Sequence, residues 1–540
     1  MKANTLLLGL FAGVLWSCTD AGDPISPTEV EINTDAESLS QRLSLDGSGV
    51  VGISAAANAG ARTLDDEEAE RVSLVLIAQA SSPTYEGNTL QATHVDIDGD
   101  FAFVSYNTAG PTYLGAVEIL DISSIYKPKI IAQAIFKNAD ISALEYRSGR
   151  LFLAMAIDVD ASEVSQPANL GVVSVSNGQF TSDFQFFSVP GFVATDVATS
   201  GDFTALVSGS NGNLTLFDRN MQVARELPME DLRGVAFGDD RLAVLTGSQG
   251  AVIYNPNSLS QTATISLEAD VAQSKRTIAI EDNRVFISEG KNGAGIYRLN
   301  NGQLIKRFPI PINPDNVEPG DIVTNAVSVD DDLMLMANGA AGIFLAEMDD
   351  EEVEEYGVLD LDGSSNFVRY EDDVIFVATG SGGVQILKIT KYEEEEKEDE
   401  NLCQDLSSYR GSSNLNVNGN EKAAFSGSAQ LKNVNIGGEF LFCGSLAIEN
   451  NLNINSGGEM QVIGSFAFGQ YRKNTSLNIN SNSTLKLSGS TVIYGDLRIN
   501  SGGTLEFVGE GNTITVYGEV TINSGGRVIG NFTDSEGKLR

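Results

Sequence analysis

Histidine is nearly absent from this 540-residue chain, and its scarcity restricts the chemistry that the chain can perform. The one histidine is His94, so a zinc site or a Ser-His-Asp triad would have to be built around that residue alone. No phosphate-binding loop or dinucleotide-binding fingerprint stands between a strand and a helix, and little of the sequence has a helical pattern. We therefore expect no nucleotide-dependent catalysis, and we interpret His94 as a packing or hydrogen-bonding residue of an inner strand.

Basic residues are also scarce. The chain has 34 Lys and Arg against 73 Asp and Glu, a formal net charge of −39. Such a surface repels nucleic-acid backbones and anionic lipid headgroups, so we expect no nucleic-acid partner. The excess of acid is compatible with solubility in salt water, with cation association or with a basic partner.

Only three cysteines are present, and the first follows a short apolar segment. The apolar run at residues 6–16 comes after Lys2 and is too short to span a membrane, which predicts a signal peptide at residues 1–17. The following Leu15-Trp16-Ser17-Cys18 is similar to a lipobox, and this implies that Cys18 becomes the lipid-bearing first residue of the mature chain. Secretion with ordinary cleavage is the alternative.

Residues 18–71 are rich in Ser, Thr, Ala, Gly and acids and contain few apolar groups. Such a segment buries too little apolar surface to offset the entropy of ordering it, so we predict a lipidated flexible tether. Asp20 and Asp23 resemble the acidic export signals of some Bacteroidota surface lipoproteins. That resemblance implies a lipid anchor in the outer membrane, on the cell surface, as the only contact with the membrane.

Residues 72–391 contain a sevenfold repeat in which an apolar strand, a tight turn, a second apolar strand and a Gly-rich loop follow one another. The turns are Gly99-Asp100, Gly149-Arg150, Gly201-Asp202, Asp239-Asp240, Asp282-Asn283, Asp331-Asp332 and Asp372-Asp373. They lie about 40 to 50 residues apart, the length of one four-stranded propeller blade. The last repeat lacks an outer strand, and residues 72–80 match the outer strand of the first repeat. We therefore predict an all-β, seven-bladed β-propeller closed by strand exchange.

Two of these repeats resemble the LVIVD repeats of bacterial propellers. The matches are residues 101–104 followed by 115–123, and residues 374–378 followed by 383–387. Only the first repeat has an Asp-Ile-Ser ending after its third strand. The resemblance implies a propeller fold and a surface-exposed bacterial setting, and it carries no activity.

An acidic linker at residues 392–401 separates the propeller from a second repeat domain at residues 402–540. The motif with Asn455 recurs at Asn480, Asn500 and Asn523, with Ser and mostly Gly after each Asn. Steps of about 20 to 25 residues with period-2 alternation are typical of a β-solenoid, here of about six coils with stacked Asn side chains. A small β-sandwich is the alternative.

Cys403 and Cys443 remain as a pair in an oxidising compartment. We expect them to form a disulfide, with two free buried thiols as the alternative. In the loop-entropy model this bond contributes about 4 kcal/mol to stability.

Long loops on the face that carries the interblade connections are candidate binding elements, because recognition usually resides in loops on a rigid scaffold. The candidate binding residues are Tyr113, Asp158, Asp160, Glu163, Asp315, Glu318 and Asp321. No catalytic residue is assigned. Residues 96–100 superficially resemble a calcium loop but lack its later ligands, so no metal site is assigned and calcium is the one cofactor left open.

These patterns favour a non-enzymatic, surface-anchored binding or scaffold protein that recognises a protein or a glycan through the propeller loop face. One alternative is a carboxylate-based polysaccharide hydrolase or lyase, since that chemistry needs only two carboxylates. Another alternative is a structural envelope protein.

The predicted anchor can be tested directly. We expect Cys18→Ser to move the exported chain from the membrane fraction to the soluble fraction, because the acyl chains on this cysteine supply the membrane affinity. Metabolic labelling with a fatty acid, followed by fractionation, measures the change, and Cys403→Ser is the control that keeps its label. A labelled, membrane-bound Cys18→Ser chain would contradict the prediction.

Overall fold

Two all-β units make up the computed structural model of the chain, a seven-bladed propeller and a parallel β-solenoid. The structure describes residues 30–45, 49–51, 53–54, 72–238, 240–247, 249–268, 275–312, 317–349, 352–359, 361, 363–391, 400–403, 406–469 and 474–539. The predicted signal peptide and Cys18, the predicted lipidation site, lie outside these residues. In the described part of the chain, no helix is long and apolar enough to cross a membrane.

The chain enters the fold through short strands and one helical turn. These elements are β1 (Val30–Asn33), α1 (Ala36–Ser40), β2 (Leu43–Ser44), β3 (Gly49–Val51), β4 (Ile53–Ser54) and the long β5 (Val72–Ala80). A hairpin of β6 (Thr84–Tyr85) and β7 (Asn88–Thr89) leads into the first blade.

Seven antiparallel blades follow, as the repeat predicts. Blade 1 contains β8 (Gln91–Asp98), β9 (Phe101–Asn107), β10 (Gly115–Asp121) and β11 (Lys129–Phe136); blade 2 contains β12 (Ala139–Arg147), β13 (Arg150–Ile157), β14 (Ala168–Ser176) and β15 (Gln179–Ser188). Blade 3 contains β16 (Asp196–Thr199), β17 (Phe203–Val207), β18 (Gly212–Asp218) and β19 (Val223–Met229); blade 4 contains β20 (Leu232–Phe237), β21 (Leu242–Thr246), β22 (Gly250–Tyr254) and β23 (Gln261–Ile265). Blade 5 contains β24 (Ile278–Glu281), β25 (Arg284–Ser288), β26 (Ala294–Arg298) and β27 (Leu304–Phe308); blade 6 contains β28 (Ala326–Asp330), β29 (Leu333–Ala337), β30 (Ile343–Asp349) and β31 (Glu352–Leu359). Blade 7 contains β32 (Phe367–Glu371), β33 (Val374–Ala378) and β34 (Val384–Lys391), with β5 as its fourth strand.

Each blade begins with a hairpin whose turn falls where the sequence places it. Asp282, Asp331 and Asp372 have φ angles of 51°, 48° and 49°, and Gly99 has a φ of 56°. Asp and Gly tolerate this left-handed conformation better than most residues do, which explains their recurrence at the turns. The first strands of neighbouring blades pack against one another and line a central channel.

Strand exchange closes the ring, as predicted. β5 pairs antiparallel with β34, and this pairing places Gln79 opposite Gln385. The joint between blade 7 and blade 1, which we call the seam, therefore contains chain segments from both ends of the propeller. Main-chain hydrogen bonds cover the outer edge that blade 7 would otherwise expose.

The prediction of a flexible tether through residue 71 is wrong for the described part of residues 30–54, which we call the belt. β1 extends blade 1 by pairing with β11, β2 and β3 pair with β5 in blade 7, and β4 pairs with β31 in blade 6. The belt thus lies along the outer strands of three consecutive blades. Its own composition predicts disorder, but hydrogen bonds to the edges of strands in other segments offset the entropy cost of ordering it.

One buried ion pair holds the belt to blade 1. Glu118 is fully buried, and its carboxylate accepts hydrogen bonds from the Arg42 guanidinium, from the Tyr106 hydroxyl at 2.8 Å and from the Gln133 amide at 2.6 Å. The Nε atom of Arg42 also donates to the carbonyl oxygen of Ser81 at 3.1 Å. The Glu118 carboxylate raises the pKa of Arg42 against the opposing effect of burial, so the guanidinium stays charged.

The second domain is a β-solenoid of six coils, as predicted. After α2 (Glu400–Cys403) its strands are β35 (Asn414–Val417), β36 (Lys422–Ile436), β37 (Glu439–Ile454), β38 (Glu459–Phe468), β39 (Ser476–Ile479), β40 (Thr484–Ile493), β41 (Asp496–Ile499), β42 (Thr504–Phe507), β43 (Thr513–Val516), β44 (Val520–Ile522), β45 (Arg527–Gly530) and β46 (Thr533–Asp534). All pair in parallel with the coil before or after. A disulfide joins Cys403 to Cys443, the pair that the sequence analysis names.

Asparagine columns run along the solenoid. In each column the side-chain amide donates to the side-chain oxygen of the Asn one coil earlier, at 2.7 to 3.1 Å. The donor and acceptor pairs are Asn433–Asn414, Asn451–Asn433, Asn435–Asn416, Asn453–Asn435, Asn478–Asn453, Asn500–Asn480 and Asn523–Asn500. Stacked amides of this kind satisfy one another and fix the register between coils.

The solenoid packs on the propeller beside the seam. The Tyr517 hydroxyl donates to the carbonyl oxygen of Tyr126, and Lys127 forms an ion pair with Glu536. Tyr126 and Lys127 follow β10 in blade 1. The solenoid and the belt therefore both contact the same side of the ring.

Loss of the buried ion pair should release the belt and destabilise the propeller. We expect Arg42→Met to lower the free energy of unfolding by about 3–5 kcal/mol, because it leaves the Glu118 carboxylate buried without its charged partner. Denaturant unfolding measures the change. Glu118→Gln in the same chain should recover much of the loss.

Lys137→Met is the matched control for this experiment. Lys137 pairs with Glu31 of the belt at 3.0 Å, but both side chains are exposed. An exposed pair contributes about 1 kcal/mol at most. Equal effects of Arg42→Met and Lys137→Met would show that the buried pair does not anchor the belt.

Candidate functional site

The central channel contains the one histidine of the chain. His94 lies in β8, and its ring centroid is 3.9 Å from that of Phe367 in β32. Its Nδ1 atom is buried and has no hydrogen-bond partner among the described residues. Burial, with Lys275 and Arg369 nearby, lowers the pKa of His94 well below its usual value. His94 is therefore a neutral packing residue in the channel.

Lys275 crosses the channel. It precedes β24 in blade 5, and its Nζ atom donates to the carbonyl oxygens of Thr93 at 2.7 Å and Ser142 at 2.9 Å, in blades 1 and 2. The same Nζ atom lies 5.0 Å from the centroid of the Phe367 ring. Burial lowers the pKa of Lys275 to about 8, against the effect of Asp196. The side chain ties opposite sides of the ring together.

Three acids of the first strands bind the backbone of the next blade. Asp96 accepts from the N–H of Tyr146 at 2.8 Å, Glu145 from that of Thr199 at 2.9 Å, and Asp196 from that of Val235 at 3.0 Å. Burial raises the pKa of all three, that of Glu145 to about 8 and that of Asp196 to about 6. Each of these acidic side chains therefore links its blade to the next one by a hydrogen bond.

The channel groups are thus engaged with the fold itself. Arg369 adds an ion pair to Glu371 at 2.7 Å and lies 3.7 Å from Asp96 across the seam. Asp96 and the turn at Gly99 belong to the segment that superficially resembles a calcium loop. In the described part of the chain, no three His, Cys, Asp or Glu side chains are placed to hold a metal ion.

The structure places four of the predicted binding residues beside the connection between blades 1 and 2. Tyr113 belongs to the loop before β10, which is held by Asp140 through the N–H of Leu114 at 3.3 Å. Asp158, Asp160 and Glu163 belong to the loop after β13. The N–H of Asp158 donates to the carbonyl oxygen of Asn138 at 2.9 Å. These two loops therefore flank one interblade connection.

The other predicted residues lie elsewhere on the ring. Glu318 and Asp321 are exposed in the connection between blades 5 and 6, where the carbonyl oxygen of Asp321 accepts from the N–H of Ala340 at 2.9 Å. Asp315 lies outside the described residues. The structure therefore does not bring Asp321 together with Asp158 and Asp160.

Sequence reasoning missed an exposed aromatic side chain on the loop face. Phe192, in the connection from blade 2 to blade 3, is 67% exposed, and Val159 in the preceding long loop is 41% exposed. The N–H of Ala194 donates to the carbonyl oxygen of Met155 at 3.2 Å, which holds this connection against the end of β13. The signal was an aromatic residue directly after Pro190 and Gly191, in a segment with no strand pattern.

Two clefts were also missed: the first contains no motif, and the second follows the Asn-Ser repeat of the solenoid, which the sequence analysis assigned to coil stacking alone. One, of about 440 Å³, lies on the loop face at the seam; we call it the seam cleft. It is lined by Gln79, Gln91, Gly363, Ser364, Asn366, Thr379, Gly380, Ser381, Gly382 and Gln385. The other is an open groove of about 620 Å³ along the solenoid, lined by Asn455, Ser456, Asn480, Ser481, Asn500, Ser501 and Asn523.

Comparison with known proteins does not identify a family. No family model matches the chain, and no curated protein matches it.

Solved structures resemble the chain at low sequence identity. The computationally designed protein Ika8 is 12% identical, over 57% of this chain and 98% of its own, with a TM-score of 0.37. A catalytically inactive virginiamycin B lyase from Staphylococcus aureus, with quinupristin, is 12% identical over 59% and 99%, with a TM-score of 0.42. The WD40 propeller domain of Doa1 is 9% identical over 59% and 97%, with a TM-score of 0.40. Such similarities carry no argument about function.

The raised pKa of Glu145 predicts a dependence of stability on pH. Between about pH 4.5 and 8 the folded protein holds a proton on Glu145 that the unfolded chain has lost. Stability therefore falls as pH rises through this window, by up to about 1.4 kcal/mol per pH unit from this group. We expect Glu145→Gln to reduce the slope, because Gln cannot ionise and still accepts the N–H of Thr199.

Denaturant unfolding at several values between pH 5 and 8 measures this slope. Glu226→Gln is the matched control, since Glu226 is exposed on β19. The control should keep the slope of the unmodified protein. Identical slopes for all three chains would contradict a protonated Glu145 in the folded state.

Proposed function

We propose that this chain is a non-enzymatic binding protein of the cell surface, which holds a protein or glycan on the loop face of its propeller. The observation that carries the proposal is the exposure of Phe192, which is 67% exposed on a connection fixed by main-chain hydrogen bonds. A large exposed aromatic group on a rigid frame is a typical anchor of a binding surface. Tyr113, Asp158, Asp160 and Glu163 are its candidate neighbours on the same face.

The position of the proposed partner follows from the interblade connections. Phe192 precedes blade 3, whereas the loops with Tyr113 and Asp158 flank the connection between blades 1 and 2. A partner centred on Phe192 would therefore meet an apolar group with acids to one side. Binding needs no cofactor in this proposal, and the charge of −39 disfavours nucleic acids.

The proposed anchor is the lipid on Cys18, in the outer membrane of a bacterium, and the resemblance to LVIVD-repeat propellers and surface lipoproteins supports this setting. Because the belt starts at Val30, twelve residues, 18–29, connect Cys18 to β1. Twelve fully extended residues span about 40 Å at most. The edge of blade 1 would accordingly stay within that distance of the bilayer, much closer than a tether through residue 71 would allow.

The loop-face proposal is tested with the mature chain carrying Cys18→Ser, probed against arrays of polysaccharides and of purified extracellular proteins, with calcium and with chelator. We expect Phe192→Ser to weaken binding about tenfold or more, because an anchor loses its contact area. Its stability should change by about 0.5 kcal/mol or less, since the side chain is exposed.

Val223→Ser is the control, since Val223 is 51% exposed on the outer strand β19, away from the loop face. It should bind as the parent chain does. If Phe192→Ser bound as strongly as the parent chain, the loop face around blade 3 would not be the binding surface. Product formation that depends on Asp158 or Asp160 would replace binding by catalysis.

A further inference from the structure

We propose that the seam cleft is a binding site for an uncharged sugar unit. The inference rests on the proposed function and names one ligand class for it. The cleft lies where the loop after β33, the connection from blade 6 to blade 7, and the ends of β5 and β8 meet. Its volume of about 440 Å³ is within the roughly 300–1,000 Å³ of small-molecule sites.

Glycines give the cleft its shape. A Cβ atom at Gly380 would stand 2.9 Å from the Nδ2 atom of Asn366, and one at Gly382 would stand 2.7 Å from the Oγ1 atom of Thr379. One at Gly363 would stand 3.2 Å from the Cβ of Thr379. Larger residues at these positions would press on the polar groups of the cleft. The glycines keep those groups accessible.

Hydrogen bonds from backbone and hydroxyl groups fix the walls of the cleft. The carbonyl oxygen of Gly380 accepts from the N–H of Ala92 at 3.0 Å and from the hydroxyl of Ser82 at 3.1 Å. The Thr379 hydroxyl donates to the carbonyl oxygen of Gly383 at 3.2 Å. The bond from Ala92 joins blade 7 to blade 1, and the other two fix the loop after β33, so the walls of the cleft are tied to the closed ring.

Several polar groups in the cleft are available to a ligand. Within the described residues, the side chains of Gln79 and Gln91 make no hydrogen bond. The Asn366 side-chain oxygen accepts from the Ser364 hydroxyl at 3.1 Å. Each amide offers both donors and an acceptor, and sugar hydroxyls also donate and accept. The hydroxyl groups of a sugar can therefore form hydrogen bonds with the side-chain amides that line the cleft.

The absence of charge selects among ligands. None of the described residues that line the cleft is charged, although the chain carries a net charge of −39. A uronate or sulfated sugar would meet repulsion with no counter-charge. An apolar ligand would bury the amides without partners, which is unfavourable. A neutral hexose avoids both costs.

Strand exchange makes the seam unlike the other joints. Gln79 comes from β5 and lies opposite Gln385, whereas Gln91 begins blade 1. At the position of Ser381 in the loop, blade 5 has Lys291 and blade 6 has Ala340. The seam cleft combines three glutamines with an uncharged loop. Ring closure thus builds the site.

The test uses the mature chain with Cys18→Ser and the disaccharides maltose, cellobiose, lactose and digalacturonate, with affinities measured by ligand-observed and titration NMR. We expect at least one neutral disaccharide to bind and digalacturonate to bind at least tenfold more weakly. Gln79→Leu and Gln91→Leu should each weaken the neutral sugar about tenfold. Gln249→Leu, exposed on the loop face of blade 4, is the control that leaves it unchanged.

A second pair of variants keeps the test independent of buried substitutions. Ser381 and Ser210 are both exposed and occupy the same position of the loop in blades 7 and 3. Ser381→Trp should block the cleft and abolish sugar binding, whereas Ser210→Trp should not. Sugar binding that survives Ser381→Trp, equal binding of digalacturonate, or no binding of any neutral disaccharide would each overturn the inference. Retention on the arrays that depends on Phe192 would leave the proposed function standing in all three cases.

Discussion

Closure of the ring is the constraint on which the rest of the structure depends, because each blade is stable only when both of its faces are covered by neighbours. Hydrogen bonds between successive blades satisfy this requirement at two levels. Near the channel, side chains on the first strands or directly before them accept hydrogen bonds from backbone N–H groups of the next blade at five joints; these side chains are Asp96, Glu145, Asp196, Thr277 and Ser328. At the loop face, the carbonyl oxygens of Gly209, Gly290, Gly339 and Gly380 accept N–H groups from the next blade.

This use of polar groups explains why the channel is rich in acids and bases with perturbed pKa values. A buried carboxylate costs free energy unless hydrogen bonds compensate for its lost hydration. Glu145 and Asp196 accept hydrogen bonds from backbone N–H groups, which lower the pKa of each side chain. Burial raises the pKa by more, so both pKa values lie above the usual range. Perturbed pKa values are a common sign of catalysis. Here the groups with shifted pKa values make hydrogen bonds between blades. Lys275 likewise donates hydrogen bonds to carbonyl oxygens across the channel.

Local pattern was enough to predict the blades, and interactions between distant segments were not predictable from it. The turn residues and the apolar alternation determine each hairpin, and the match of residues 72–80 to the outer strand of blade 1 predicted the exchange. Asn at fixed steps predicted the columns of the solenoid. The belt could not be predicted, because strand edges supplied by other segments order it and its own composition indicates disorder. Nor could the seam cleft, since Gln385 is far in the sequence from Gln79 and Gln91 and the three glutamines share no motif.

The ring closes inside blade 7, where hydrogen bonds and not a chain connection join the outer strand β5 to its neighbour β34. Several reinforcements are concentrated there. The belt pairs with blades 1, 7 and 6, Arg42 binds Glu118, and the solenoid contacts blade 1 through Tyr126. Because the belt and the solenoid stabilise this joint, polar groups on its loop face are not all needed to keep the ring closed. The stability of the seam and the availability of its cleft are therefore consequences of the same strand exchange.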